Sequence, residues 1–350
     1  MHVWLHCRPL LAVTLLALSG MLVTHLASVP PESPSFLRSP WTSVMVPVIC
    51  NDTSTSTAVV RRTTASELSG AVDAFSTGYR RYFVGLCNRS YTIPDLYEVF
   101  AAHSVEWAIL GKTQAWWSVI SVKELEGQRD LPKEQKQRFY ASGIDHRDLI
   151  LRDIEVNGTR PLDKTSSVLD FGCGVGRLGM AFARKFAEVT CVDQSVFHLQ
   201  IAKLEWQNQK QANPESHLSY GQLDVKVSGP DLLAAVAGRR FDFVYSMIVL
   251  QHMVPPLQTV YLEQLCDILK PGGQGWVHIP TMIPEGESVS PCDLHLSMTR
   301  GGIQMHYTPK SFLEDIFSKR GCYVTVEERG SLLINPGYTA GIILFNKPHV

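Results

Sequence analysis

Asp170, Gly172, Gly174 and Gly176 alternate along Ser167-Val168-Leu169-Asp170-Phe171-Gly172-Cys173-Gly174-Val175-Gly176-Arg177-Leu178-Gly179. An apolar run enters this stretch and a helical pattern leaves it, so the glycines fall in a tight strand-to-helix turn. Glycine supplies the backbone angles that such a turn needs, and it lets a ligand lie directly on the chain. Asp170 stands at the carboxyl end of the strand, where open α/β sheets bind ligands. The chemistry outlined is that of a nucleotide-type cofactor site. Two further acids end apolar runs in the same manner: Asp193 after Val189–Val192, and Asp224 after His217–Leu223.

The elements around these residues alternate. Strand one is Ser166–Phe171, followed by a helix over Arg177–Phe186, and strand two is Val189–Val192. Ser195 can cap the next helix, to about Gln211, which leads to strand three at His217–Leu223. Phe241–Ser246 reads as a buried fourth strand, Pro256–Leu269 as a helix stopped at Lys270-Pro271-Gly272-Gly273, and Gly275–Ile279 as strand five. A helix over 309–319 and strands at Cys322–Glu327 and Ala340–Phe345 close the chain. Strand-helix alternation predicts a doubly wound parallel sheet, and the last two strands, with no helix between them, add an antiparallel member.

Upstream, Asp95–Leu110 reads as a helix with Leu96, Val99, Phe100 and Trp107 at helical spacing, and His146–Glu155 as another. Phe139-Tyr140-Ala141-Ser142-Gly143 leads into the second. Ser66 can cap an earlier helix that includes Leu68, Val72 and Phe75. Aromatic residues here either pack an extra helical layer or form a lid over a cofactor. The expected division is 1–29 as an apolar anchor or signal, 30–65 as a flexible Ser/Thr/Pro-rich stem, 66–160 as a helical extension or cap, and 161–350 as the cofactor domain.

The chain has 350 residues, 45% of them hydrophobic, and a formal charge of −1. That charge excludes bulk nucleic-acid binding, which needs a basic excess to neutralise phosphates. The eight cysteines are scattered with no C-x-x-C pair, which argues against a zinc site and a dense disulfide scaffold. Cys173 and Cys191 read as small buried hydrophobes, and a Cys50–Cys87 disulfide stays open. Pro9 to Pro31 carries no formal charge. Three readings compete for this start: a single-pass membrane anchor, a cleaved secretory signal, and part of an organelle transit peptide. Sequons at Asn51, Asn88 and Asn157 favour a lumenal or secreted body.

Two glycine patterns overlap in the central stretch. Gly174-x-Gly176-x-x-Gly179 satisfies a dinucleotide fingerprint, with Asp193 near the ~20-residue offset of a ribose contact. Asp170-x-Gly172-x-Gly174-x-Gly176 resembles the cofactor loop of class I S-adenosylmethionine-dependent methyltransferases. The second pattern uses Asp170-Phe171-Gly172, which the first leaves unexplained. Phe241–Ser246 and Leu269–Gly273 also resemble later motifs of that family, in its order and spacing. The resemblance runs from about Ser166 to Lys347 and is nearest the type 11 and type 12 small-molecule methyltransferase domains. Trp117-Ser118, Phe139–Gly143 and Tyr245–Met253 resemble a bacterial-type subgroup and extend the similarity upstream to about Trp116.

The resemblance implies a Rossmann-like α/β fold with a seven-stranded sheet, S-adenosyl-L-methionine as cofactor, and methyl transfer to a small-molecule, lipid or glycan acceptor. It implies that Gly172, Cys173, Gly174 and Gly176 admit the methionine part of the cofactor and that Asp170 receives its ammonium group. Asp193 would accept both ribose hydroxyls, Gln194 would lie beside the adenine, Asp224 would read the adenine edge, and Ser246 would complete the set. An NAD-dependent oxidoreductase and a non-catalytic S-adenosylmethionine-binding protein are the competing readings.

Methyl transfer from a sulfonium is an in-line displacement, so alignment and exclusion of water supply much of the catalysis. A base is needed only where the accepting atom sheds a proton early. His252, after strand four, is the first candidate for that base or for orienting the acceptor, and His306 is the second. His278, inside strand five, reads as structural. Thr281–Ile303 is long enough to form a substrate lid.

Overall fold

A computed structural model describes residues 44–48, 59–63, 81–157, 160–212, 222–284, 292, 294, 303–330 and 338–349. The chain divides into two units, Met1–Arg80 and Arg81–Val350. In the first, β1 (Val44–Val48) and β2 (Val59–Thr63) form an antiparallel pair with Val46 opposite Arg61. The stretch expected to be a flexible stem thus contains an antiparallel strand pair, consistent with the strand preference of its valines. The apolar segment 1–29, Cys50 and the helix expected from Ser66 lie outside the described residues. Among the described residues, no helix is long and apolar enough to cross a membrane.

The second unit opens with a hairpin that the sequence reading did not foresee, β3 (Arg81–Val84) against β4 (Arg89–Thr92). Helix α1 (Ile93–Thr113) follows directly, begun by a capping box. The Thr92 hydroxyl accepts the Asp95 N–H at 3.4 Å, and the Asp95 carboxylate accepts the Thr92 N–H at 2.7 Å. A short α2 (Ala115–Val119) precedes α3 (Lys133–Val156). Helix α3 starts well before the expected His146, because Phe139 and Tyr140 are buried on it and meet Trp116 edge-on.

The sheet comprises β5 (Ser167–Phe171), β6 (Glu188–Asp193), β7 (Gln222–Val227), β8 (Phe241–Ser246), β9 (Leu269–Met282), β10 (Tyr323–Gly330) and β11 (Thr339–Asn346). Its order is β10-β11-β9-β8-β5-β6-β7. Strands β5 to β9 pair in parallel, and β11 runs antiparallel to both its neighbours. This is the doubly wound, Rossmann-like sheet expected from the alternation of elements. Every residue of β5 is buried, as a strand covered on both faces requires.

Helices α4 (Arg177–Ala183), α5 (Val196–Ala212), α6 (Leu232–Ala235), α7 (Pro255–Asp267) and α8 (Lys310–Lys319) cover the sheet. One core layer joins Leu169, Phe171, Tyr261 and Phe317, and the other joins Trp116, Phe182, Tyr245 and Trp276.

Two strand boundaries move. Strand β7 ends at Val227, so Asp224 lies within it rather than at its end. Strand β9 already begins at Leu269, and a register shift between Phe241↔Leu269 and Phe243↔Gln274 absorbs Lys270–Gly273. The cysteines also depart from expectation. Cys87 bonds Cys292, Cys173 bonds Cys191, and Cys266 bonds Cys322. Strands β5 and β6 are neighbours, with Asp170 opposite Cys191, so the turn after β5 brings Cys173 within bonding reach.

Candidate functional site

The order of the sheet reverses at β5, which has β6 on one side and β8 on the other. Ligands of open α/β sheets bind at the carboxyl edge of such a switch point. A cleft partly open to solvent lies there.

Its floor is the glycine turn. Gly172, Gly174 and Gly176 have φ of 77, 54 and 79°. A Cβ at Gly172 would stand 2.4 Å from Val249, and one at Gly174 would stand 2.6 Å from Val119. The backbone N–H groups of Gly172 and Cys173 both donate to the Val192 carbonyl, at 2.7 and 3.1 Å. Gly176 turns the chain into α4 as its N-cap and is not part of the cleft wall. Cys173 lines the cleft as one half of a disulfide, so it contributes wall and no thiol.

Asp193 fastens the turn. One carboxylate oxygen accepts the Gly174 N–H at 2.9 Å and the other accepts the Ser195 N–H at 2.8 Å. Each oxygen keeps a second acceptor site, which two neighbouring hydroxyls can fill. Gln194 lines the cleft beside it and accepts from the Ser104 hydroxyl of α1 at 3.1 Å.

Asp170 is 4% exposed, and its Oδ2 has no hydrogen-bond partner. The Tyr245 hydroxyl nearby also lacks a partner of good geometry. Burial pushes the Asp170 carboxyl up to about 7, against the pull of Tyr245 and Arg177. A buried carboxylate with an unpartnered oxygen in a glycine-floored cleft suits an incoming ammonium group, so these residues fit an amino-acid-bearing nucleoside.

Besides Gly176, four expected residues stand elsewhere. Asp224 lies inside β7, where its carboxylate pairs with Lys226 at 3.2 Å and Arg239 at 3.8 Å, and Ser228 takes the place at the cleft. Ser246 is fully buried and donates to the Phe171 carbonyl at 3.0 Å, joining β8 to β5. His252 lies behind Trp107, their rings 5.4 Å apart, with Nδ1 against the Gln304 carbonyl at 2.9 Å. Burial lowers it to about 4. His306 gives its backbone N–H to Gln251, and its ring meets Gln304 at 3.2 Å. Neither histidine lines the cleft. His278 is buried in β9, stacked against Trp276, as a structural residue. Of the expected lid Thr281–Ile303, residues 281–284, 292, 294 and 303 are described: Thr281 and Met282 belong to β9, and Cys292 is tied to Cys87 and to the Arg89 guanidinium.

The cleft also contains residues that the sequence reading did not assign to it. Helices α1 and α2 supply Trp107, Ser118 and Val119, so the aromatic upstream segment serves as both packing layer and wall. His198, one turn into α5, contacts Ser118 at 2.8 Å. Because Ser118 donates to the Ala115 carbonyl at 3.0 Å, it accepts from His198. Burial keeps that imidazole neutral by lowering its pKa. The available signal was its position one turn beyond Asp193. Ile248 lines the opposite wall with φ 60°, a left-handed conformation unusual for a β-branched residue.

A family model described as "Methyltransferase domain" matches residues 136–327, more than half of the chain. The chain is similar to ubiquinone biosynthesis O-methyltransferase of Cereibacter sphaeroides, with 38% identity over 106 residues, covering 30% of this chain and 38% of that protein. The same-named protein of Methylobacterium nodulans is 31% identical over 129 residues, covering 36% of this chain and 46% of that one. The chain therefore spans less than half the length of these relatives. Among solved structures it is similar to magnesium protoporphyrin IX methyltransferase of Synechocystis PCC 6803 with bound SAH. There the identity is 17% and the TM-score 0.45, over 69% of this chain and 98% of that one.

Two predictions separate the roles of the loop residues. Gly172→Ala meets both a left-handed φ and the Val249 side chain. It should cost about 1–2 kcal/mol in thermal or denaturant unfolding and abolish cofactor binding. At Gly179 the nearest atom to a new Cβ is the Asp170 Oδ2 at 3.2 Å, with no left-handed φ, so Gly179→Ala should weaken binding less than Gly172→Ala does. For Asp170, the folded protein binds the proton more tightly than the unfolded chain does. Stability should fall as pH rises from about 4 through 7, by roughly 4 kcal/mol at most. Asp170→Asn should flatten this trend in Tm measured against pH.

Proposed function

The chain belongs to the methyltransferase-domain family of class I S-adenosylmethionine-dependent enzymes, and from that membership we propose that it methylates a hydroxyl group of a small, largely apolar acceptor. The observation that carries this reading is the mixed lining of the cleft, where Asp170, Asp193 and the glycine turn stand together with the apolar Trp107, Met247, Val249 and Met253. The named relatives are O-methyltransferases of ubiquinone biosynthesis, which supports an oxygen acceptor on a small molecule.

S-adenosylmethionine, when bound, supplies an electrophilic methyl group on a sulfonium centre. Asp193 would orient the ribose and Asp170 the ammonium group, which fixes where the methyl end points. Trp107 and Met253 would exclude water from the acceptor. Tyr261 lines the cleft, but its hydroxyl donates to the Gly229 carbonyl at 3.0 Å and burial raises its pKa well above the ordinary value. His198 is committed to Ser118. These engagements favour a phenol-like acceptor that ionises readily, since alignment then suffices without a dedicated base.

Transfer of labelled methyl from S-adenosylmethionine to alkyl-substituted phenols, simple amines and free sugars tests this. Label should enter the phenols, and Asp193→Ala should reduce the rate at least tenfold, the scale of losing charge-assisted hydrogen bonds. Labelling of amines or sugars alone would contradict the acceptor assignment. Cofactor binding without transfer to any acceptor would favour a non-catalytic role.

We further infer that the catalytic unit resides in an oxidising compartment of the secretory pathway. Its support is the pairing of six cysteines together with the exposed sequon asparagine Asn88. Full-length protein from eukaryotic cells should shift on treatment with an endoglycosidase, and less so in Asn88→Gln. Unglycosylated Asn51, Asn88 and Asn157 with reduced cysteines would contradict it.

A further inference from the structure

Tyr140 and Ala141, from the Phe139–Gly143 motif to which the sequence assigns no task, line a second pocket. It lies between α3 and α5 and shares no lining residue with the cofactor cleft. Two helix faces build it. On α3, Lys133, Gln137 and Ala141 recur at helical spacing and are exposed, while Lys136 and Tyr140 are more deeply set. On α5, the buried Glu205 stands one turn before Gln209 and two before Ala212. Ala141 and Ala212 are small and exposed where a close-packed helix pair would place large apolar side chains, which leaves the groove open to solvent.

Among the described residues, three cations and one acid line this pocket: Lys133, Lys136 and Arg184 against Glu205. The acid is already matched. Lys136 Nζ reaches the Glu205 carboxylate at 2.8 Å and the exposed Asp130 at 2.9 Å, and it stands 5.3 Å from the centre of the Trp116 ring. Arg184 Nη2 donates to a neutral group, the Gln209 amide oxygen, at 2.8 Å. Lys133 and Arg184 therefore leave a positive excess on the pocket walls. The whole chain carries a formal charge of −1, so this excess is local and not part of a basic surface. Concave protein walls concentrate such a potential and draw in counter-ions of the opposite sign.

Apolar surface stands beside the charges. Leu131 and Tyr140 are buried, and the Tyr140 hydroxyl is spent on the Val175 carbonyl at 3.1 Å, so Tyr140 offers the pocket ring surface and no free donor. We propose that this pocket is a second ligand site, one that takes a small amphipathic anion. Its phosphate or carboxylate group is drawn by Lys133, Lys136 and Arg184, and a short apolar body lies against Leu131 and Tyr140. A cationic ligand would meet three like charges, and a neutral apolar one would forgo their attraction.

Titration calorimetry of the full chain with n-hexyl phosphate, hexanol, hexylamine and inorganic phosphate tests the assignment, each run with and without S-adenosylmethionine. Hexyl phosphate should bind once per chain, about tenfold or more tighter than each of the other three, and should still bind beside saturating S-adenosylmethionine. Lys133→Glu and Arg184→Gln should each weaken it by about tenfold, the scale of one charge-assisted contact. Lys133 is exposed, so its variant keeps the fold should Arg184→Gln not. Asp193→Ala, in the cofactor cleft, should leave hexyl phosphate binding unchanged. Cosedimentation with phosphatidic-acid vesicles identifies the source of the anion: Lys133-dependent retention gives a lipid headgroup, and no retention gives a free small molecule. Absence of saturable hexyl phosphate binding, equal binding of hexylamine, displacement by S-adenosylmethionine, or indifference to Lys133→Glu would each overturn the proposal.

Discussion

The Asp193 carboxylate, at the end of β6, accepts one backbone N–H from the turn after β5 and another from the first turn after its own strand. These are charge-assisted bonds between chain segments that the sheet brings side by side, and they fix the spacing of the two crossovers that form the cleft floor. The Cys173–Cys191 disulfide joins the same two segments beneath. The Val192 carbonyl accepts from both Gly172 and Cys173. A floor tied at three points is preorganised, so a ligand does not bear the entropy of ordering it.

The rest of the site depends on helices that precede the sheet in sequence. Helix α1 contributes Trp107 and the Ser104 contact to Gln194, α2 contributes Ser118 and Val119, and α3 contributes the groups around Arg177. Helix α3 is itself anchored to the sheet. Asp153 accepts from Trp276 and Arg329, each at 2.9 Å, and Arg147 donates to the Ala181 carbonyl of α4 at 2.9 Å. These helices belong to the same unit as the sheet. They act as its cofactor-side wall, and α3 supplies the side-chain hydrogen bonds that hold the buried Arg177 guanidinium.

Much of the sheet was legible because its signals are local. Runs such as Val168-Leu169 and Phe243-Val244 are apolar throughout, and the alternating glycines specify a turn within a few residues. The failures came where partners are remote. Asp224 looked like a strand-end ligand until β7 proved to continue to Val227, and its partner Arg239 comes from beyond α6. His252 has the expected place after β8, but Trp107 of α1 stands between it and the cleft. The Cys87–Cys292 bond spans 205 residues, a pairing that no spacing rule reaches. Arg177 sat in plain view inside the motif, and only the crossing of α3 revealed what holds it.

The central claim is that this cleft is an S-adenosylmethionine site and not a dinucleotide site. Titration calorimetry of the full chain with S-adenosylmethionine and, separately, with NAD tests it most directly. Saturable binding of one S-adenosylmethionine per chain, with no heat from NAD, is the predicted result. Saturable NAD binding with none for S-adenosylmethionine would contradict it.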